Sequence, residues 1–163
     1  MTRKHRTTMY SSALLLSLCA RTAYAQELTN PTAANTKSKI FAQALVENTL
    51  SKHPALLGVG LATTQPQGHD CVTIADTDAK ELGDKCDKGE LAVMKTGKST
   101  VEKESDGYDV TLPLHVGGKT IGIIAMDFKL DELEAGLLDR AKVIAKEVEA
   151  QIPEKSKLFE PAR

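Results

Sequence analysis

Hydrophobic positions along this chain follow two different periods, and the changes between them mark out the elements. Ile40, Phe41, Ala44, Leu45, Val46 and Leu50 recur at helical spacing, and His53-Pro54 closes that run because proline restricts the residue before it. Leu56 to Thr64 and Cys71 to Thr77 are short and rich in β-branched residues. The turn-forming stretch Gln65-Pro66-Gln67-Gly68-His69-Asp70 separates them, which predicts an antiparallel hairpin. Asp78 to Gly97 is broken by Gly83 and Gly89 and predicts short helical turns rather than one long helix. From Thr100 the period becomes two, through Val101 to Ser105, Tyr108 to Val116 and Lys119 to Phe128. Asp106-Gly107 and Gly117-Gly118 read as two-residue hairpin loops whose residues tolerate positive φ.

Counting outward from Gly117-Gly118 sets a register. Val116 opposes Lys119, Leu114 opposes Ile121, Leu112 opposes Ile123, Val110 opposes Ala125 and Tyr108 opposes Asp127, all on one face. Thr111, Pro113 and His115 then share the other face with Gly122, Ile124, Met126 and Phe128. Apolar residues on both faces of 119–128 predict a central strand covered on both sides. Pro113 cannot donate to the ladder, so its position points away from a partner or sits at a bulge. In the last segment Leu133, Leu137, Ala141, Ile144, Val148 and Ile152 form a stripe that predicts a helix over 131–152, capped by Asp131 and stopped by Pro153. Gly58-Val59-Gly60 has the start of a dinucleotide fingerprint, but no third glycine or helix follows, and it reads as close backbone packing.

The first 25 residues differ from the rest. Arg3-Lys4-His5-Arg6 precedes an apolar stretch from Ser11 to Ala20, and Ala23-Tyr24-Ala25 supplies the small residues of a cleavage site, so export with cleavage after Ala25 is expected. The apolar run is shorter than the ~18 residues a membrane anchor needs. A polar tether spans 26–36 and a single domain spans 37–163. Removing the leader takes four of the 21 basic residues and none of the 22 acidic ones, which leaves 138 residues at a net charge of −5. That balance, without any basic run, speaks against nucleic acid, and no second apolar segment predicts membrane insertion of the mature chain. The expected location is periplasmic or secreted.

Cys71 and Cys86 remain once Cys19 leaves with the leader, an even pair suited to an oxidising compartment. A disulfide between them closes a short loop and contributes about 3 kcal/mol in the chain-entropy account. The alternative makes His69, Asp70, Cys71 and Cys86 metal ligands, although neither a Cys-x-x-Cys nor a His-x-x-x-His spacing is present. No arrangement of nucleophile, base and oxyanion hole is recognisable, so catalysis is not expected, and no cofactor is implied.

The order of helix, two strands, helical turns, three strands and helix resembles the PAS-like fold of extracytoplasmic Cache sensor domains. The stretch KTIGIIAMDFKLDEL at 119–133 looks like the final Cache strand, and GELAVMKTG at 89–97 looks like the connector of small exported single-Cache proteins. The resemblance implies an α+β, PAS/Cache-like domain with an antiparallel sheet of about five strands flanked by N- and C-terminal helices. It also implies a ligand cavity between the sheet and the connecting helices, with an acidic residue of the final strand meeting the ligand. Asp127 holds that place, and the register above sets Tyr108 beside it; the plainer reading is that Asp127 caps the following turn or is solvated at a strand end. Cache domains that bind amino acids use arginine and tryptophan, and this chain has no tryptophan. Lys95 or Lys103 then offers the positive charge, without arginine's bidentate geometry. The expected function is noncatalytic binding of a small molecule, with a separate membrane protein carrying the signal. A secreted interaction or assembly module without a cavity is the alternative.

Overall fold

A computed structural model describes residues 39–131 and 135–163, so the leader, the tether and Leu133 lie outside the described residues. The elements run α1 (Phe41–Lys52), β1 (Leu56–Thr64), β2 (Cys71–Asp76), α2 (Lys88–Thr96), β3 (Thr100–Lys103), β4 (Gly107–Val116), β5 (Lys119–Lys129) and α3 (Leu137–Glu149), followed by a 3-10 turn at Lys155–Phe159. The five strands form one antiparallel sheet in the order β2-β1-β5-β4-β3. β5 is the central strand, as its two apolar faces require.

One face of the sheet carries Tyr108, Val110, Leu112 and Leu114 beside Ile124, Met126 and Phe128, all buried. Ala42, Leu45 and Val46 of α1 and Leu137, Ala141, Ile144, Ala145 and Val148 of α3 join them in the main core. Each large side chain removed from water there stabilises the fold by roughly 1.5–3 kcal/mol. The chain closes on itself at the other end of α1. The Phe41 N–H donates to the Glu160 carbonyl at 2.7 Å and the Ala162 N–H donates to the Lys39 carbonyl at 2.7 Å. The 3-10 turn between them buries Leu158 and carries no periodic signal in the sequence.

The second face is roofed differently. α2 starts at a capping box, in which Asp87 accepts from the Glu90 N–H at 2.8 Å and Glu90 accepts from the Asp87 N–H at 2.8 Å, and it ends at Gly97 with φ 70°. This reciprocal cap turns part of the expected helical turns into a nine-residue helix. The Cys71–Cys86 disulfide is present, with the Cα atoms 5.3 Å apart, and it packs with Ala62, Val93 and Ile123 in a second, smaller core. The bridge consumes the two thiols of the metal alternative, and Asp70 instead pairs with Lys85 at 2.7 Å.

Three expectations are corrected. α3 begins after Gly136, whose φ of 84° interrupts the run, rather than at Asp131. Gly107 belongs to β4, and the β3–β4 connection is the longer segment 104–106, closed by a Glu104 N–H bond to the Gly107 carbonyl at 3.0 Å. The third correction decides the site. Gly117 and Gly118, at φ 58° and 77°, make the two-residue turn, and Val116 pairs with Lys119 and His115 with Thr120. Leu114 then pairs with Gly122, so Ile121 is an extra residue in β5. Beyond this bulge Leu112 pairs with Ile124, Val110 with Met126 and Tyr108 with Phe128, one residue away from the register counted from the turn.

The bulge has a physical anchor. The Thr63 hydroxyl of β1 donates to the Ile121 carbonyl, and Gly122 lies so near the Ala62 carbonyl and the Thr63 side chain that an added Cβ would overlap them. Gly122→Ala should therefore force β1 and β5 apart and cost about 2 kcal/mol, lowering the melting temperature by roughly 8 °C for a domain of this size. Differential scanning calorimetry checks this, and an unchanged melting temperature would show that the two backbones are not held at that distance.

Candidate functional site

The one-residue slip turns the acidic positions of the central strands toward α2. Asp109 pairs with Asp127, and Asp127 pairs on its other side with Gly58. Two residues along β5, Thr111 pairs with Ala125, Ala125 with Gly60, and Gly60 with Asp76. Side chains on these two rows share the face opposite α1 and α3. The glycines make the rows possible. A Cβ on Gly58 would fall 2.5 Å from the Asp127 Oδ2 and 3.5 Å from the Thr77 Oγ1, and one on Gly60 would overlap the Asp76 Oδ2. Each carboxylate lies over bare β1 backbone, in space that any other residue would fill.

Above these rows is an open cleft of about 680 Å³, within the range of small-molecule sites. Asp76, Asp109 and Asp127 project from the sheet, Asp78 and Glu81 come from the connector after β2, Glu90 from α2, and Glu104 and Asp106 from the β3–β4 turn. Eight carboxylates line the cleft, and among the described residues no lysine, arginine or histidine joins them. Leu57, Ile123 and Ala125 add apolar surface.

Crowding and burial both disfavour ionisation. Partial removal from water pushes Asp76 and Asp109 up to about 6, with the charge of Asp127 adding to each, while the Asp78 N–H and the Thr111 hydroxyl pull the other way. Asp127 is also raised, by burial first and then by Glu104, Asp106 and Glu81. Asp109 Oδ1 is closed off from solvent and has no hydrogen-bond partner among the described residues; its other oxygen is 3.4 Å from the Thr111 hydroxyl.

Of the residues chosen from sequence, Asp127 and Tyr108 line the cleft, and Lys95 and Lys103 do not. Tyr108 lines the cleft and is buried in the main core, but it pairs across the strands with Phe128 while Asp127 pairs with Asp109, so the expected cross-strand phenol–carboxylate pair does not form. The Lys103 ammonium lies 5.8 Å from the centre of the Tyr108 ring, and Lys95 is exposed on α2; neither lines the cleft. Sequence reasoning misses Asp76 and Asp109 because the register counted from the turn places 109 away from 127. The available signal is the glycine pair in β1 together with small or acidic residues, Asp109, Thr111, Ala125 and Asp127, within otherwise apolar strands.

No family model matches the chain, and no curated protein matches it. Solved structures do. The second GAF domain of DevS from Mycobacterium smegmatis superposes with a TM-score of 0.52 at 12% identity, over 66% of this chain and 87% of that one. The GAF domain of A. aeolicus nlh2 in an inactive state gives 0.51 at 16% identity, over 68% and 83%. The GAF domain of an Acinetobacter phosphoenolpyruvate-protein phosphotransferase gives 0.50 at 11%, over 70% and 82%. The fold is PAS-like. These PAS-like neighbours are GAF rather than Cache domains, so the sequence resemblance reaches the shared fold class and not the Cache branch within it.

The raised carboxylates fix the sign of a pH dependence. A folded-state value near 6 against 3.8 for the ordinary group means that the folded chain takes up protons which the unfolded chain has not yet bound. Stability in the absence of ligand should therefore rise as pH falls from about 7 to about 5. Asp109→Asn should raise the melting temperature at pH 7.5 and flatten the upper part of the profile. Thermal melts across that range decide it, and a melting temperature that falls steadily from pH 7 to 5 in the unaltered protein contradicts the assignment.

Proposed function

We propose that this protein is an exported, noncatalytic, sensor-type domain that binds a small organic cation in the carboxylate-lined cleft. The observation that carries the reading is the lining itself, eight carboxylates and, among the described residues, no basic side chain around one cavity. Like charges at partly buried positions repel one another, and a cation entering among them relieves that repulsion and takes the place of lost water. The volume and the apolar surface of Leu57, Ile123 and Ala125 favour a ligand with a hydrocarbon body. Among the described residues, no group of three or more His, Cys, Asp or Glu side chains is arranged to hold a metal ion.

Supporting the sensor role is the PAS-like fold; supporting export are the basic leader, the apolar stretch and the small residues before Gln26. The mature chain would work as a periplasmic or secreted receptor that hands its signal to a separate membrane protein, without inserting itself. No helix among the described residues is long and apolar enough to cross a membrane. An open cleft of this size weighs against the alternative of an assembly module with a solid sheet face.

The ligand reading is tested with 1,4-diaminobutane as a probe. It should raise the melting temperature at pH 7.5, bind less well at pH 5 and at high salt, and be recovered chemically unchanged. Asp127→Asn and Asp76→Asn should each weaken binding by about tenfold in calorimetric titration. Equal binding of a dicarboxylate such as succinate, or unchanged affinity in both variants, would overturn the reading. Export is checked separately by fusing residues 1–36 to a periplasm-dependent reporter and sequencing the new N-terminus, expected at Gln26.

A further inference from the structure

The loop closed by the disulfide is also one wall of the cleft. Between Cys71 and Cys86 lie Thr73, Asp76, Thr77, Asp78 and Glu81, all of which line the cavity. Past Asp76 the chain leaves the sheet and returns to run along the outer edge of β2. Lys85 bridges to Val72, the Thr73 N–H donates to the Asp84 carbonyl at 2.8 Å, the Gly83 N–H donates to the Thr73 carbonyl at 2.9 Å and the Cys86 N–H donates to the Cys71 carbonyl at 3.0 Å. Apart from these bonds, the return segment has little to hold it. Residues 78–85 are exposed, Leu82 among them, and the Lys85–Asp70 ion pair lies in water, where such pairs contribute little.

The bridge supplies what the segment lacks in buried contacts. Its immediate neighbours are Ala62 and Ile123, which line the cleft, and Val93, the buried residue of α2 one turn from the cleft residue Glu90. Across the sheet, the main core is built from α1, α3 and the opposite face, and the bridge is no part of it. A cross-link placed this way governs local opening of one wall more than global unfolding. Reduction is chemically accessible because Cys86 is only partly buried, whereas Cys71 is buried.

We propose that the Cys71–Cys86 bridge is a redox latch on the acidic wall: closed, it holds Asp76, Asp78 and Glu81 in the arrangement that takes the cation, and opened, it lets that wall loosen and releases the ligand. The opening reaction is thiol–disulfide exchange with a dithiol. One thiolate attacks the Cys86 sulfur and Cys71 leaves as a thiolate; the second thiol of the reductant then displaces Cys86. Two cysteine thiols and one oxidised, cyclic disulfide result, with two electrons and two protons passed to the protein. Affinity falls because only the fraction of molecules with an ordered wall is competent to bind.

The latch rests on the cation reading for its ligand but not for its structural effect, and two measurements separate them. Amide hydrogen exchange is followed on the full chain, oxidised and after treatment with dithiothreitol, and on the double variant Cys71→Ser/Cys86→Ser, with 1,4-diaminobutane affinity measured on the same samples. The expected result is faster exchange at the amides of positions 73, 83 and 86, unchanged protection in α1 and α3, and affinity lower by about tenfold. Unchanged exchange in the 72–86 segment overturns the latch, as does unchanged diamine affinity after reduction. Loss of protection throughout the domain overturns it too, since the bridge would then be a staple for the whole fold. If the oxidised chain binds no diamine, the cation reading fails and the exchange pattern alone decides whether the bridge latches the wall.

Discussion

The Thr63 hydroxyl donating to the Ile121 carbonyl, with Gly122 letting the β1 backbone close in beside it, holds one extra residue in β5. Everything that distinguishes the two sides of the sheet follows from that insertion. Strand side chains alternate, so a slip of one residue exchanges the faces of every position beyond it. On one side of the bulge the turn pairs Val116 with Lys119; on the other, Tyr108, Val110 and Leu112 meet Phe128, Met126 and Ile124 beneath the two long helices. Asp109 and Asp127 are sent the other way, with Asp127 lying over Gly58 of β1. α3 reinforces the same corner, where Glu149 accepts from the His115 backbone N–H at 2.6 Å and lies 3.1 Å from the His115 ring nitrogen.

A sheet face bearing three half-buried aspartates is a poor choice for stability. Burial and mutual repulsion hold Asp76 and Asp109 near 6 and raise Asp127, so each is carried at neutral pH at a cost that an apolar residue would not incur. The main core on the opposite face bears that cost: Phe128, Leu61, Leu114, Ile124 and Met126 are wholly buried there. The architecture thus divides one sheet into a stabilising side and a side where charge is concentrated. Functional sites are where such local violations of good packing are found.

The elements themselves are plain in the sequence because their signals are local. Helical spacing before His53-Pro54, β-branched runs at 56–64 and 71–76, and the positive-φ turn at Gly117-Gly118 each act within a few residues, and each appears where the pattern puts it. The capping box that makes α2 is equally local, with Asp87 and Glu90 three residues apart, yet the glycines around it obscure the helix. Asp127 can be chosen from its place on the last strand. Tyr108, Lys103 and Lys95 cannot be placed correctly that way, since their surroundings depend on the path of strands far away in the chain.

The amino-acid sequence by itself determined the class of fold, the central position of β5, the paired cysteines and the excess of acid, because periodicity, turn chemistry and composition need no knowledge of distant neighbours. Only the tertiary structure decided which acids meet. The bulge is fixed by a hydroxyl 58 residues from the carbonyl it binds, and Asp127 and Asp76 fit beside β1 because two of its residues are glycines. Contacts of that kind are set by the assembled sheet; the glycines and aspartates along the chain mark the positions but not which of them meet.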